Sequence, residues 1–181
     1  MALASLAEKA GDPARARGLV DEAVKLQPAD AATRKQAAAF SARQGDVAQA
    51  LRHWSIALDA NPGEREALFP IFLGVAENAQ ARSLLSVFAA APPTWWDDFF
   101  QTVARRALDL ETVRALYAMR RGQSDTPLSE LERTAYITRL QKDGQMTEAY
   151  LVWVNGLDER GRSQLGILNN GSFELEPSNI G

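Results

Sequence analysis

The stretch TWWDDFF, Thr94 to Phe100, holds the residue types of a carbohydrate site. Aromatic rings stack on sugars, and two carboxylates can serve as acid and base on a glycosidic bond. The spacing argues against that chemistry. Adjacent residues on a helix point about 100° apart, so Asp97 and Asp98 do not face one substrate. The same letters spell a helix start, with Thr94 as cap and the two acids near the positive helix end. Trp95, Trp96, Phe99 and Phe100 are then expected to pack inward. His53, the single histidine, stands beside Trp54 as a lone candidate base. The chain has no cysteine, and no serine lies in a Gly-x-Ser-x-Gly turn. His53 is therefore expected to face solvent. The pairs Arg105-Arg106 and Arg120-Arg121 are read as charges at helix C-termini, where cations are favoured. No phosphate loop, dinucleotide fingerprint or metal-ligand spacing occurs. The expectation is no catalytic, cofactor-binding or metal site.

Composition narrows the classes further. The chain has 181 residues, enough for one ordinary domain or a short solenoid, and 46% of them are apolar. With 20 basic and 23 acidic residues the formal charge is −3, which gives no reason to expect nucleic acid or an anionic membrane as partner. No run approaches the ~18 apolar residues of a membrane span. The opening MALASLAEKAGD reads as a helix rather than a signal peptide. The abrupt beginning and end read as those of a piece of a longer protein.

The elements that carry these residues follow from breakers and caps. Helices are expected over 2–10, 13–25, 31–43, 47–60, 65–77, 79–91, 94–107, 110–121, 129–142 and 146–157. Gly11-Asp12, Gly45-Asp46 and Asn61-Pro62-Gly63 turn the chain, and Pro92-Pro93 stops it again. Pro13 suits a first helical turn, Asp30 is a cap, and Pro70 suggests a late start or a kink. GQSDTPLS, from Gly122, is a loop and the best internal break. Within this pattern GDPARARGLVDEAVKLQP (Gly11–Pro28) and GDVAQALRHWSIALDANP (Gly45–Pro62) share an outline. Gly11 meets Gly45, Asp12 meets Asp46, Ala16 meets Ala50, Ala23 meets Ala57 and Pro28 meets Pro62, all at an offset of 34 residues. That period marks a helical repeat array. A weaker copy, Gly144, Ala149, Trp153 and Leu157, follows Gly45, Ala50, Trp54 and Leu58 at an offset of 99.

These positions resemble the tetratricopeptide repeat (TPR) family. The resemblance places small residues, Ala38 and Ala50, where two helices touch, and the aromatic Trp54 in the gap to the next repeat. It is good in the second halves of the two outlined blocks, fair at 144–157 and poor in the first helices. Arg34 stands where the family often has Trp, and Ser41 where it often has Tyr. The implied fold is all-α: a TPR-like right-handed α-solenoid of antiparallel helix pairs, about five in number, with a short extended C-terminal tail. Residues 1–64 are expected to form two TPR-like repeats, the first truncated. Residues 65–160 form degenerate helical-repeat pairs, and 161–181 form the tail. In such arrays the first helix of each pair lines a concave surface that holds a protein or peptide. Here that face is expected to present Lys35, Gln36, Ala39 and Arg43. A clamp for a peptide carboxylate is not expected, because Ala39 stands where Asn is wanted.

The tail carries a second resemblance. NGSFE, Asn170 to Glu174, is similar to the opening strand of a carbohydrate-binding jelly-roll module. The block from TWWDD to the end also resembles helical-repeat parts of bacterial envelope proteins associated with exopolysaccharide. The resemblances imply a non-catalytic protein–protein interaction scaffold, in a bacterial periplasm or cell envelope. The alternative they leave open is a helical accessory domain of a carbohydrate-binding or carbohydrate-active protein. Neither requires a cofactor, and self-association is a third mode to test.

Overall fold

The helix–turn rhythm of the sequence becomes an all-helical arrangement over the described residues. The computed structural model describes residues 2–122 and 126–163, and among these no strand occurs. In chain order the α-helices are α1 (Ala2–Lys9), α2 (Pro13–Leu26), α3 (Ala31–Arg43), α4 (Val47–Ala60), α5 (Arg65–Glu77), α6 (Ser86–Ala90), α7 (Trp96–Arg106), α8 (Leu110–Arg121), α9 (Glu130–Lys142), α10 (Met146–Gly156) and α11 (Glu159–Ser163). Two short 3-10 turns, Pro62–Glu64 and Arg82–Leu85, precede α5 and α6. The segment Asn170–Glu174 lies outside the described residues. Residues 161–163 of the expected tail are helical, as the end of α11.

Caps explain the starts. The carboxylates of Asp12, Asp30, Asp46 and Asp109 each accept from the backbone N–H three residues on, which satisfies a donor the helix leaves free. Ser129 and Glu132 cap each other reciprocally at the start of α9. The ends of α1, α3 and α9 share one device. Gly11, Gly45 and Gly144 have φ of 77°, 79° and 74°, a backbone region that costs an L-residue with a Cβ. Each donates its N–H three residues back, at 3.0–3.1 Å, to Glu8, Ala42 and Gln141. The following residue donates five back, to Ala7, Ser41 and Leu140, at 2.8–3.0 Å. This is the Schellman closure of a helix end, made three times in the register read from sequence.

Three local expectations need correction. The segment 79–91 is not one helix. The Asn78 side chain accepts from the N–H groups of Gln80 and Ala81, and this turn delays helix formation until Ser86. Thr94 does not cap α7. Its hydroxyl donates to Asp59 Oδ1 at 2.7 Å, and α7 begins at Trp96. Pro70 causes no late start, since α5 runs through it from Arg65. The ring removes the donor for the Glu66 carbonyl, and both residues are exposed, so water can serve that carbonyl.

The chain divides into two compact units. The expected boundaries followed repeat register, whereas this division follows packing. The first unit contains the residues up to Phe88 together with Pro92–Trp95. Within it α1 packs on α2, α3 on α4, and α2 also meets α3. Ala4, Ala7, Ala16, Val20, Ala37 and Phe40 form one buried cluster. Ala38 and Ala50 are fully buried and Trp54 is half-buried, which fits close helix approach at the small residues. A second, aromatic cluster surrounds Trp95. Its ring lies 4.9 Å from that of Phe72 and 5.6 Å from that of Phe88, and its Nε1 donates to Ser55 Oγ. Tilted and edge-on ring pairs of this kind suit the aromatic quadrupole.

The second unit contains Ala89–Ala91 and the residues from Trp96 onward. Here α7, α8 and α10 all pack against α9. Trp96, Phe99, Phe100, Leu116 and Leu140 are fully buried. Arg120 lies in the last turn of α8, as expected, but it is buried and paired with Glu132 rather than left in solvent. Its neighbour Arg121, like Arg105 and Arg106, is exposed in the last turn of a helix, as expected.

Candidate interaction surface

The four residues expected to meet a partner lie on α3. Spacings of three and four put Gln36, Ala39 and Arg43 along one stripe. In the first unit this stripe forms a wall of a cavity of about 210 Å³, and Ala4 and Glu8 of α1 form the opposite wall. The Arg43 guanidinium grips Glu8 with two bonds, 3.1 and 2.8 Å. That grip holds the Glu8 carboxyl below its ordinary range and raises Arg43. Lys35 does not line this cavity. Its Nζ is 2.8 Å from both carboxylate oxygens of Glu64. Both expected cations thus have a carboxylate of the same chain at hand, and exposed pairs of this sort add little to stability.

The second unit holds a larger groove, about 320 Å³, between α7 and α9. From α7 come Gln101, Ala104 and Arg105, and from α9 come Leu131, Thr134, Ala135, Thr138, Arg139 and Lys142. The offset of 99 relates the two surfaces. It carries Lys35, Gln36, Ala39 and Arg43 onto Thr134, Ala135, Thr138 and Lys142, and all four line this groove. Sequence reading applied that offset to the helix after the glycine but not to the helix before it. The signal for the second surface was therefore present and unused.

Arg139 fixes the floor. It is 6% exposed, its Nε donates to Asp143, and its Nη1 donates to the carbonyls of Ala104 and Ala107 at 3.0 Å. Carbonyls at the end of α7 lack helical donors, so a buried cation there both satisfies them and suits the helix dipole. Arg105 and Lys142 differ from it. Both are exposed, and neither makes a hydrogen bond or ion pair among the described residues.

The residues first considered for chemistry lie elsewhere. Asp97 accepts from the Ser129 hydroxyl at 2.8 Å, and Trp95, Trp96, Phe99 and Phe100 are buried, as their packing role requires. His53 is 7% exposed, which corrects the expectation that it faces solvent. Arg34 Nη1 lies 3.1 Å from its Nδ1. Arg34 only donates, so Nδ1 accepts and the ring proton sits on Nε2. The Gln49 amide nitrogen lies 3.3 Å from Nε2, and rotating that amide by half a turn would bring its oxygen to accept the proton. Burial, and then the Arg34 charge, push the imidazole pKa down, and Asp21 and Asp46 oppose this. His53 is thus a neutral, hydrogen-bonded interior group. Among the described residues no cluster of three or more metal-ligating side chains occurs, and no helix is long and apolar enough to cross a membrane. No protein-family model, characterised protein or solved structure matches this chain.

Proposed function

We propose that this chain is a non-catalytic scaffold, built from TPR-like antiparallel helix pairs, that binds a protein or peptide along the first helix of each pair. The observation that carries the reading is the correspondence of the two grooves. Equivalent positions of α3 and α9, separated by 99 residues, line both. Repeated turns at Gly11, Gly45 and Gly144 support the same register. A right-handed solenoid is the arrangement such stacked pairs adopt, because a single pair cannot bury its apolar face alone.

The test is affinity capture from cells of the source organism with three forms of the complete chain. These are the unaltered protein, Ala39→Glu/Thr138→Glu on the proposed face, and Arg52→Glu on the exposed side of α4. The reading expects a specific protein to be retained by the first and third forms and lost from the second. Retention by all three, or no specific protein at all, would overturn it. Sedimentation at several concentrations separates self-association from capture of another protein.

A further inference from the structure

We infer that the α7/α9 groove takes an acidic peptide in extended form, with carboxylates at the end where Arg105 and Lys142 stand and apolar side chains towards Leu131. The inference rests on the scaffold reading above and specifies the partner chemistry of one of its surfaces.

Three observations lead there. The first is charge. The chain as a whole is acidic, at −3, yet this groove contains two exposed, unengaged cations, Arg105 and Lys142, and no carboxylate in its lining. In the first unit the equivalent of Lys142 is Arg43, which Glu8 already occupies. Among the described residues no carboxylate takes that place in the second groove, so the position is open to an external one. Complementary charge of this kind steers association and fixes register.

The second observation is the apolar part of the lining. Leu131 is 53% exposed, and Ala104 and Ala135 lie in the same groove. A large apolar side chain left in water beside small ones offers a place for an apolar group of the partner.

The third is shape. The α9 lining recurs from Leu131 to Lys142, a length of about 16 Å at the helical rise. An extended peptide covers that length with about five residues. Arg139 ties α9 to the end of α7 at one end of this length. An acidic oligosaccharide is the less suitable occupant, because the groove has no aromatic ring on which a sugar face could stack.

The experiment uses the whole 181-residue chain and fluorescence anisotropy of a labelled, C-terminally amidated peptide with Glu at one end and Leu at the other. Comparison probes are the same peptide with Lys for Glu, and a labelled oligouronate. The expected result is saturable binding of the Glu/Leu peptide alone, weakening as salt rises. Arg105→Gln/Lys142→Gln should weaken it about tenfold. Thr138→Trp, which fills the groove without touching a charge, should abolish it, while Arg43→Gln in the other unit should leave it unchanged. Circular dichroism of each variant confirms folding, and the single variants Arg105→Gln and Lys142→Gln replace the double one if it does not fold. The inference falls if the Glu/Leu peptide fails to bind, if the Lys/Leu peptide or the oligouronate binds as well, or if Arg43→Gln is equally damaging. In any of these cases a captured protein that is still lost from Ala39→Glu/Thr138→Glu would leave the scaffold reading standing.

Discussion

Arg120 and Glu132 form an ion pair in the interior of the second unit, with Nε 2.7 Å from Oε1 and both side chains at most 2% exposed. The same Oε1 accepts from Trp96 Nε1 at 2.7 Å, and Oε2 accepts from the Ser129 N–H. Arg120 also donates to the carbonyls of Ala89 and Pro127. One pair therefore gathers α7, α8, α9 and the loop before α9. Buried charges are costly to desolvate, and removing one partner leaves the other uncompensated. Glu132→Leu or Arg120→Met alone should destabilise by roughly 3–5 kcal/mol. The double substitution should cost clearly less than the two singles added together. Urea denaturation of the four proteins measures this, and simple additivity would show that the pair acts as two independent groups.

Gly45 and Gly74 predict opposite responses to alanine. At Gly45 the added Cβ meets nothing within 4 Å, so the whole penalty is the backbone at φ 79°. Gly45→Ala should cost about 1–2 kcal/mol. Gly74 lies inside α5, also with open space around the new Cβ, and helical glycine wastes backbone entropy. Gly74→Ala should stabilise by about 0.5–1 kcal/mol. Shifts of the same sign in the thermal midpoints would contradict the assignment of these backbones.

His53 makes the first unit sensitive to mild acid. Its folded pKa lies below the ordinary 6.5, chiefly through burial. The unfolded chain therefore binds the proton more readily than the folded one. The stability His53 contributes is complete above pH about 6.5 and is lost as pH falls through its folded value. His53→Gln should flatten the dependence of the urea midpoint between about pH 7.5 and 5.5, above the range where most carboxylates titrate. An unchanged slope in the variant would assign the dependence to other groups.

Ala50 and Ala39 should tolerate bulk very differently. Ala50 is fully buried where α3 and α4 pack most extensively. Ala50→Leu forces extra volume into that contact and should cost about 1–3 kcal/mol. Ala39 is half-buried on a cavity wall, so Ala39→Leu should change stability by less than about 0.5 kcal/mol. Equal losses at the two sites would mean that the cavity beside Ala39 is not open in solution.

Much of the local structure was legible because its causes are local. Asp30 caps α3 through its own carboxylate and a backbone N–H three residues away. Gly11 and Gly45 end helices because a backbone without Cβ enters that turn most cheaply. Errors arose where a side chain had a distant alternative. Thr94 looked like a cap, but Asp59, remote in sequence, takes its hydroxyl. Asn78 gives no comparable signal, because an Asx turn leaves no periodic trace in the sequence. Lys35 and Arg43 read as exposed cations, and no local rule announces that Glu64 and Glu8 fold over to meet them.

By itself, the order of residues determined the all-helical class of the described residues, the boundaries of α1–α5 and α8–α10 to within a residue or so, and the 34-residue register, since propensity, capping and turn chemistry act within a few positions of chain. Tertiary structure alone decided which titratable groups are inside, as with His53, Arg120 and Glu132, and gave the adjacent Trp95 and Trp96 to different units. It also decided that the cations of the stripe on α3 are paired with carboxylates, while Lys142, in the counterpart stripe on α9, has no ion-pair partner among the described residues. The physical reason is that burial and pairing depend on groups brought together from 12 to 40 residues apart, and such encounters follow from packing rather than from local periodicity.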